Sequence, residues 1–251
     1  MIEDTIVPFK NRKAANPLFS PEEVAETHRI LARVRSQAYG RTRIKLFSQS
    51  PGSGVHTVLA RNQVKGGICC ALSLYWLKGQ LSDPVNNQGY LNSLMGQGGS
   101  GITNAIMPAI QLNNAIKAPD TQLQDANIWL HDSGFTGAVK RKKSVSWVSA
   151  GVSDYFCEAP SINPYRLIAI RGGYDHAMAL DLVNLEFFDP NIGAFQFKHL
   201  MYLKNFLNDT VFPLLNRVMG SKESNYLGRH YFSLVQMGCY RKNINRQYFS
   251  V

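Results

Sequence analysis

Residues 65–77, KGGICCALSLYWL, place two adjacent cysteines between a glycine pair and an almost unbroken apolar run. From Cys69 to about Lys78 the apolar side chains cover nearly every azimuth of a helix, so this helix is expected to be buried on all sides rather than to lie on a surface. Gly66 and Gly67 in front of it permit a sharp turn and a close backbone approach. The first cysteine then falls at a helix N-terminus, where unpaired amides and the macrodipole favour a thiolate. The same residues also suit two small core side chains, since free cysteine behaves as a buried hydrophobe.

The rest of the chain bears on which reading holds. A chain of 251 residues buries about 70 to 75% of its unfolded surface and needs no disulfide staple. Its four cysteines, Cys69, Cys70, Cys157 and Cys239, have neither disulfide-scaffold nor zinc spacing. The chain therefore reads as reduced, with no metal and no cofactor. Lys and Arg number 27 against 17 Asp and Glu, a net charge of +10, which favours acidic partners, an anionic membrane surface among them. The basic run Lys140 to Lys143 reads as a solvated loop. It lacks aromatic interleaving or a recognition motif, so no nucleic-acid partner is expected. No apolar stretch reaches bilayer length, and the N-terminus shows neither a signal-peptide core nor, with Ile2, a myristoylation glycine.

Ahead of the cysteines, SPEEVAETHRILARVRSQAYG reads as an amphipathic helix capped by Ser20 and stopped at Gly40, with Val24, Thr27, Leu31, Val34 and Ala38 on one face. RTRIKLFS alternates like a half-exposed strand. Behind the cysteines, a Gly/Asn/Gln-rich stretch over 82–101 reads as an exposed excursion and residues 102–117 as a helix kinked at Pro108. YRLIAI, DHAMALDLV, LEFFD and HYFSLVQMGCYR then read as four strands, with a helical segment at 199–219 that contains Pro213. A helical first half followed by an antiparallel sheet is an α+β class.

A thiol nucleophile needs an imidazole to move its proton and a third group to orient that imidazole. Of six histidines, His176 heads a strand. If the chain reverses near Asn184, the next strand returns antiparallel and carries Asp189 back to the His176 end, within about three residue rises. Pro190 ends that strand and leaves the Asp189 side chain at its tip. A plain Asp-Pro-Asn turn and an ordinary strand histidine account for the same residues. Where the triad reading holds, His176 Nδ1 is expected at Asp189 and Nε2 at Cys69. Gln63, six residues before Cys69, is a candidate oxyanion donor alongside the Cys69 amide, and equally a solvent-facing loop residue.

GICCALSLYW, followed by HAMAL and FFDPNIGAFQF, resembles the YopT-type cysteine peptidases of bacterial effector proteins over about residues 63–197. The resemblance implies a papain-like fold with Cys69 as nucleophile, His176 as base, Asp189 as orienting acid and Gln63 at the oxyanion spacing. It divides the chain into a flank, 1–60, with a recognition helix, and a peptidase domain, 61–251. It further implies secretion, action in the host cytosol and a host protein substrate such as a small GTPase or a kinase. Two other functions remain open on these residues. A glutamine deamidase or transglutaminase would use the same triad, and a noncatalytic basic binding module would leave Cys69 buried and unreactive.

Overall fold

The computed structural model describes residues 21–64, 67–82, 94, 99–116, 122–146, 151–158, 163–171, 176–219 and 231–241. Its centre is a seven-stranded antiparallel sheet with helices on both faces. In chain order come α1 (Pro21–Gln37), β1 (Arg41–Lys45), α2 (Gly54–Arg61), α3 (Cys69–Ser82), α4 (Gly99–Ala115), α5 (Gln122–Asp132), β2 (Phe135–Ser146) and α6 (Val152–Cys157). These are followed by β3 (Tyr165–Arg171), β4 (His176–Asp181), β5 (Glu186–Asp189), β6 (Gly193–Phe197), α7 (Leu200–Phe206), a π-turn (Leu207–Val211), α8 (Phe212–Met219) and β7 (Tyr231–Arg241). The strand order is β1-β6-β5-β4-β3-β7-β2.

Strand periodicity sorts the core into two layers. Leu167, Ala169, Ala177, Ala179 and Phe188 face α3 and α4 together with Met237 and Cys239. Their alternates, Ile168, Ile170, Met178, Leu180, Phe187 and Phe195, face α1 and α6 to α8. A strand covered on both sides shows no polar face, and every residue of β4 is buried. The small Ala177 and Ala179 leave room for α3, whose Trp76 stacks on Phe188 at 5.6 Å. As its composition requires, α3 is buried nearly all round, from Cys70 to Leu81.

Several expectations are met and several are corrected. Thr27, Leu31, Val34 and Ala38 are the buried face of the first helix and its exit. Within the stretch read as a flank, β1 pairs with β6 and Phe47 is 1% exposed among the core side chains. The basic run 140–143 is not a loop. It lies in β2, which pairs with β7 at the edge of the sheet, and charge on an edge strand opposes pairing with another chain. The helical segment 199–219 is broken by the π-turn just before Pro213, where the Phe212 amide bonds to the Leu207 carbonyl. Proline has no N–H to continue an α-helical ladder, and the wider turn absorbs the loss. Most of the excursion, residues 83–93 and 95–98, and the glycine turn at 172–175 lie outside the described residues.

Candidate active site

The β4–β5 pairing sets Ala179 opposite Phe188, Leu180 opposite Phe187 and Asp181 opposite Glu186. Asp181 fixes the reversal, since its carboxylate accepts from the amides of Val183 and Asn184 and from the Asn184 side chain at 2.7–3.0 Å. Leu185 completes the turn with φ 54. This register returns Asp189 to the row beside Met178, two residues short of His176. The side chains span that gap: His176 Nε2 lies 3.0 Å from Asp189 Oδ1, with the two side chains 8% and 2% exposed.

Because β5 pairs with β4 only from Ala179 onward, the first residues of β4 keep peptide groups for another partner. Helix α3 supplies it. The Ala177 amide hydrogen-bonds the Cys69 sulfur, and one turn later Ser73 Oγ donates to the Ala177 carbonyl at 3.3 Å. The helix N-terminus is thereby pinned beside His176, and Cys69 and His176 share a side-chain hydrogen bond. Cys69 remains partly exposed whereas Cys70 is buried, which separates an accessible thiol from a core one.

The ring orientation reverses the expectation. Nε2 faces Asp189, which leaves Nδ1 as the ring nitrogen for Cys69. His176 stands at the first position of β4, and the short reach from its Nδ1 suits a sulfur on the adjacent helix, while the longer reach to Nε2 suits a carboxylate at the tip of the neighbouring hairpin.

The electrostatics follow from these contacts. Burial alone pushes the Cys69 thiol up, but the hydrogen bond and charge of His176, with the Ala177 amide, outweigh it and bring the thiol below its ordinary range. Burial pulls His176 down, yet the Asp189 charge and hydrogen bond, then those of Cys69, carry it up to about 10. Both directions favour a thiolate–imidazolium pair, whose protons come off in macroscopic steps belonging to the pair. Cys157 and Cys239 show the opposite case: burial pushes each up to about 12.

Gln63 is not part of this cluster. It is exposed, in the turn that ends α2, where its amide bonds to Ala60 and its φ is 57. The glutamine at the head of α3 is Gln49, 6% exposed. Its Oε1 accepts from the Ile68 amide at 2.9 Å, and its Nε2 donates to Asn191 Oδ1 at 3.1 Å. A Cβ on Gly67 would stand 3.1 Å from that Nε2, so the glycine leaves space for the amide. Sequence spacing pointed to the nearer glutamine, and Gln49 carries no local signal, because its approach depends on the loop after β1 crossing the β5–β6 turn through Gln49 N to Pro190 O, 2.9 Å.

Among the described residues no group of three or more His, Cys, Asp or Glu could hold a metal, and no helix is long and apolar enough to cross a membrane.

A family model, Peptidase_C58, described as Yersinia/Haemophilus virulence surface antigen, matches residues 33–237. No curated protein matches the sequence. Among solved structures, the Pseudomonas avirulence protein AvrPphB is similar at 17% identity and a TM-score of 0.48, with 72% of this chain and 93% of that one covered. PatoxP, a cysteine protease-like domain of the Photorhabdus asymbiotica toxin PaTox, is similar at 9% identity and a TM-score of 0.44, with 84% of this chain and 59% of that one covered.

Proposed function

Since the chain belongs to the Peptidase_C58 family and is a cysteine peptidase, we propose that it is a secreted bacterial effector that cleaves a host signalling protein, with Cys69, His176 and Asp189 as its triad. The observation that carries this reading is a partly exposed thiol at the head of a buried helix, hydrogen-bonded to an imidazole that a buried carboxylate holds at 3.0 Å.

The Cys69 thiolate attacks the scissile carbonyl. The oxyanion that forms is met by the Cys69 amide at the helix N-terminus and by the second Nε2 hydrogen of Gln49, which takes the role expected of Gln63. Imidazolium His176 gives its proton to the leaving amine, the C–N bond breaks, and an acyl thioester remains on Cys69. Neutral His176 then takes a proton from water, whose oxygen attacks the thioester, and Cys69 leaves as the thiolate. Asp189 holds the ring so that Nδ1 meets the sulfur, and it balances the imidazolium charge whenever His176 carries the proton.

Intact-mass comparison of a host-cell lysate treated with the wild-type protein or with Cys69→Ala tests this reading. Paired fragments that sum to a parent plus water, seen only with the wild type, are expected. A Cys69-dependent Gln to Glu conversion without fragments would replace the peptidase by a deamidase.

A further inference from the structure

We infer that Asn191 is a positioning residue that orients Gln49 for the oxyanion and so couples the β5–β6 turn to the head of α3; this deepens the proposed triad reading and rests on it. A primary amide offers two N–H donors and one carbonyl, and by itself it can turn over in its site. Here both ends are committed. Gln49 Oε1 takes the Ile68 amide, and one Nε2 hydrogen goes to Asn191 Oδ1. The flipped amide would set Oε1 against Asn191 Oδ1, acceptor facing acceptor, and Nε2 against the Ile68 N–H, donor facing donor. Only one Nε2 hydrogen is left over, beside Gly67 and one residue from Ile68.

Asn191 is itself held at two further points, and the residue before it at another. Its amide donates to Asp189 Oδ1 at 2.7 Å, the oxygen that also meets His176. Ser50 Oγ reaches its Oδ1 at 3.5 Å. The Pro190 carbonyl before it accepts from Gln49 N at 2.9 Å. One short turn thus fixes the acid through its backbone and the glutamine through its side chain. The two duties are separable, because Asn191→Ala removes the Oδ1 acceptor and leaves the backbone amide on Asp189.

Two chemistries on the same sulfur distinguish them. Iodoacetamide alkylates the thiolate by displacing iodide and forms no oxyanion. p-Nitrophenyl acetate acetylates Cys69 through a tetrahedral oxyanion, the ester C–O bond breaks and p-nitrophenolate departs. Both are read on Cys69 against a Cys69→Ala background. Asn191→Ala is expected to keep its alkylation rate and pH profile within about twofold and to slow acetylation about tenfold, a part of the 10²- to 10³-fold that loss of a whole oxyanion donor costs. Gln49→Ala is expected to slow acetylation about 10²-fold, and Asn191→Ala should then add less than about twofold, since the two act as one unit. Asn191→Asp, which retains the acceptor, should restore acetylation. Gln49→Glu, which still accepts from Ile68 but has no N–H to give, should lose it, while the Asn191 backbone amide stays on Asp189. Asn191→Ala with undiminished acetylation, with an equal loss in the Gln49→Ala background, or with alkylation slowed in parallel would overturn the inference and leave the triad standing. A wild-type Cys69 that alkylates no faster than Cys70 would overturn the triad and the inference together.

Discussion

Asp189→Asn changes one oxygen of the site into an amide and keeps the shape of the turn, because Oδ1 can still accept from the Asn191 amide at 2.7 Å. What it removes is charge. At the 3.0 Å separation from His176, and with an effective dielectric constant near 20, the Coulomb attraction is about 5.5 kcal/mol, roughly four decades in the proton affinity of the imidazole. The amide dipole and water near the partly exposed Cys69 recover some of this, so a fall of about two decades is expected. The direct effect on Cys69 has the opposite sign, since the Asp189 charge also pushes the thiol up, but it is the smallest influence there, behind burial and the contacts of His176 and Ala177. The indirect effect therefore prevails. A weaker hold on the imidazolium proton shifts the proton balance of the pair toward neutral thiol and imidazole by up to about the same two decades, opposed only by the Ala177 amide and the His176 hydrogen bond that remain. The assay is the iodoacetamide rate on Cys69 as a function of pH, read by intact mass. In the wild type the rate should persist below the ordinary cysteine range; in Asp189→Asn it should drop about 10²-fold at neutral pH, with its rise moved to higher pH. A variant that alkylates within twofold of the wild type at neutral pH would show that Asp189 does not sustain the ion pair.

Hydrolysis and alkylation should separate on the alkaline side. His176 is raised to about 10, so its proton is present below that pH and lost above it; peptide hydrolysis should fall through about pH 10 while alkylation of the thiolate does not, and parallel losses would contradict a general-acid role for His176. Cys69→Ala should abolish hydrolysis and Cys70→Ala, at a core position 3% exposed, should cost stability and leave the chemistry, checked by kcat on folded protein. Gly193→Ala should destabilise the fold by about 2–4 kcal/mol in urea unfolding, because φ is 111 and a Cβ would overlap the Lys45 carbonyl oxygen and stand 2.8 Å from Phe47 N.

The parts of the site that local sequence could show are those built by local rules. An all-round apolar helix after two glycines needs only periodicity, and α3 follows it. The return of Asp189 to His176 needs only a tight reversal and strand pairing, and the turn around Asp181 provides it. The basic run at 140–143 misled for a stated reason. Four consecutive cationic side chains carry no alternation, so pattern alone favours a loop, and the pairing of β2 with β7 along ten residues overrides it. Ring orientation at His176 was likewise out of reach, because it depends on which neighbour lies along the sheet and which lies above it.

Gln49 marks the sharper limit. Twenty residues and a helix separate it from Cys69, and 142 positions separate it from the Asn191 that holds its amide. Neither separation has a period. What brings them together is β1 at one edge of the sheet: paired to β6, it delivers the following loop across the β5–β6 turn, where Gly193 admits the backbone of Lys45 to Phe47. A glycine required both by its positive φ and by the close approach of the Lys45 to Phe47 backbone thus lies on the path that carries the Gln49 amide to the head of α3. The same strand that a division at residue 60 would assign to a flank is what places the Gln49 amide beside Ile68. Removing residues 1–60 would therefore take away β1 and the proposed oxyanion donor Gln49 in one step, while leaving Cys69, His176 and Asp189 in the chain. A chain lacking residues 1–60 is expected to lose acetylation of Cys69 even though the proposed triad residues are all present.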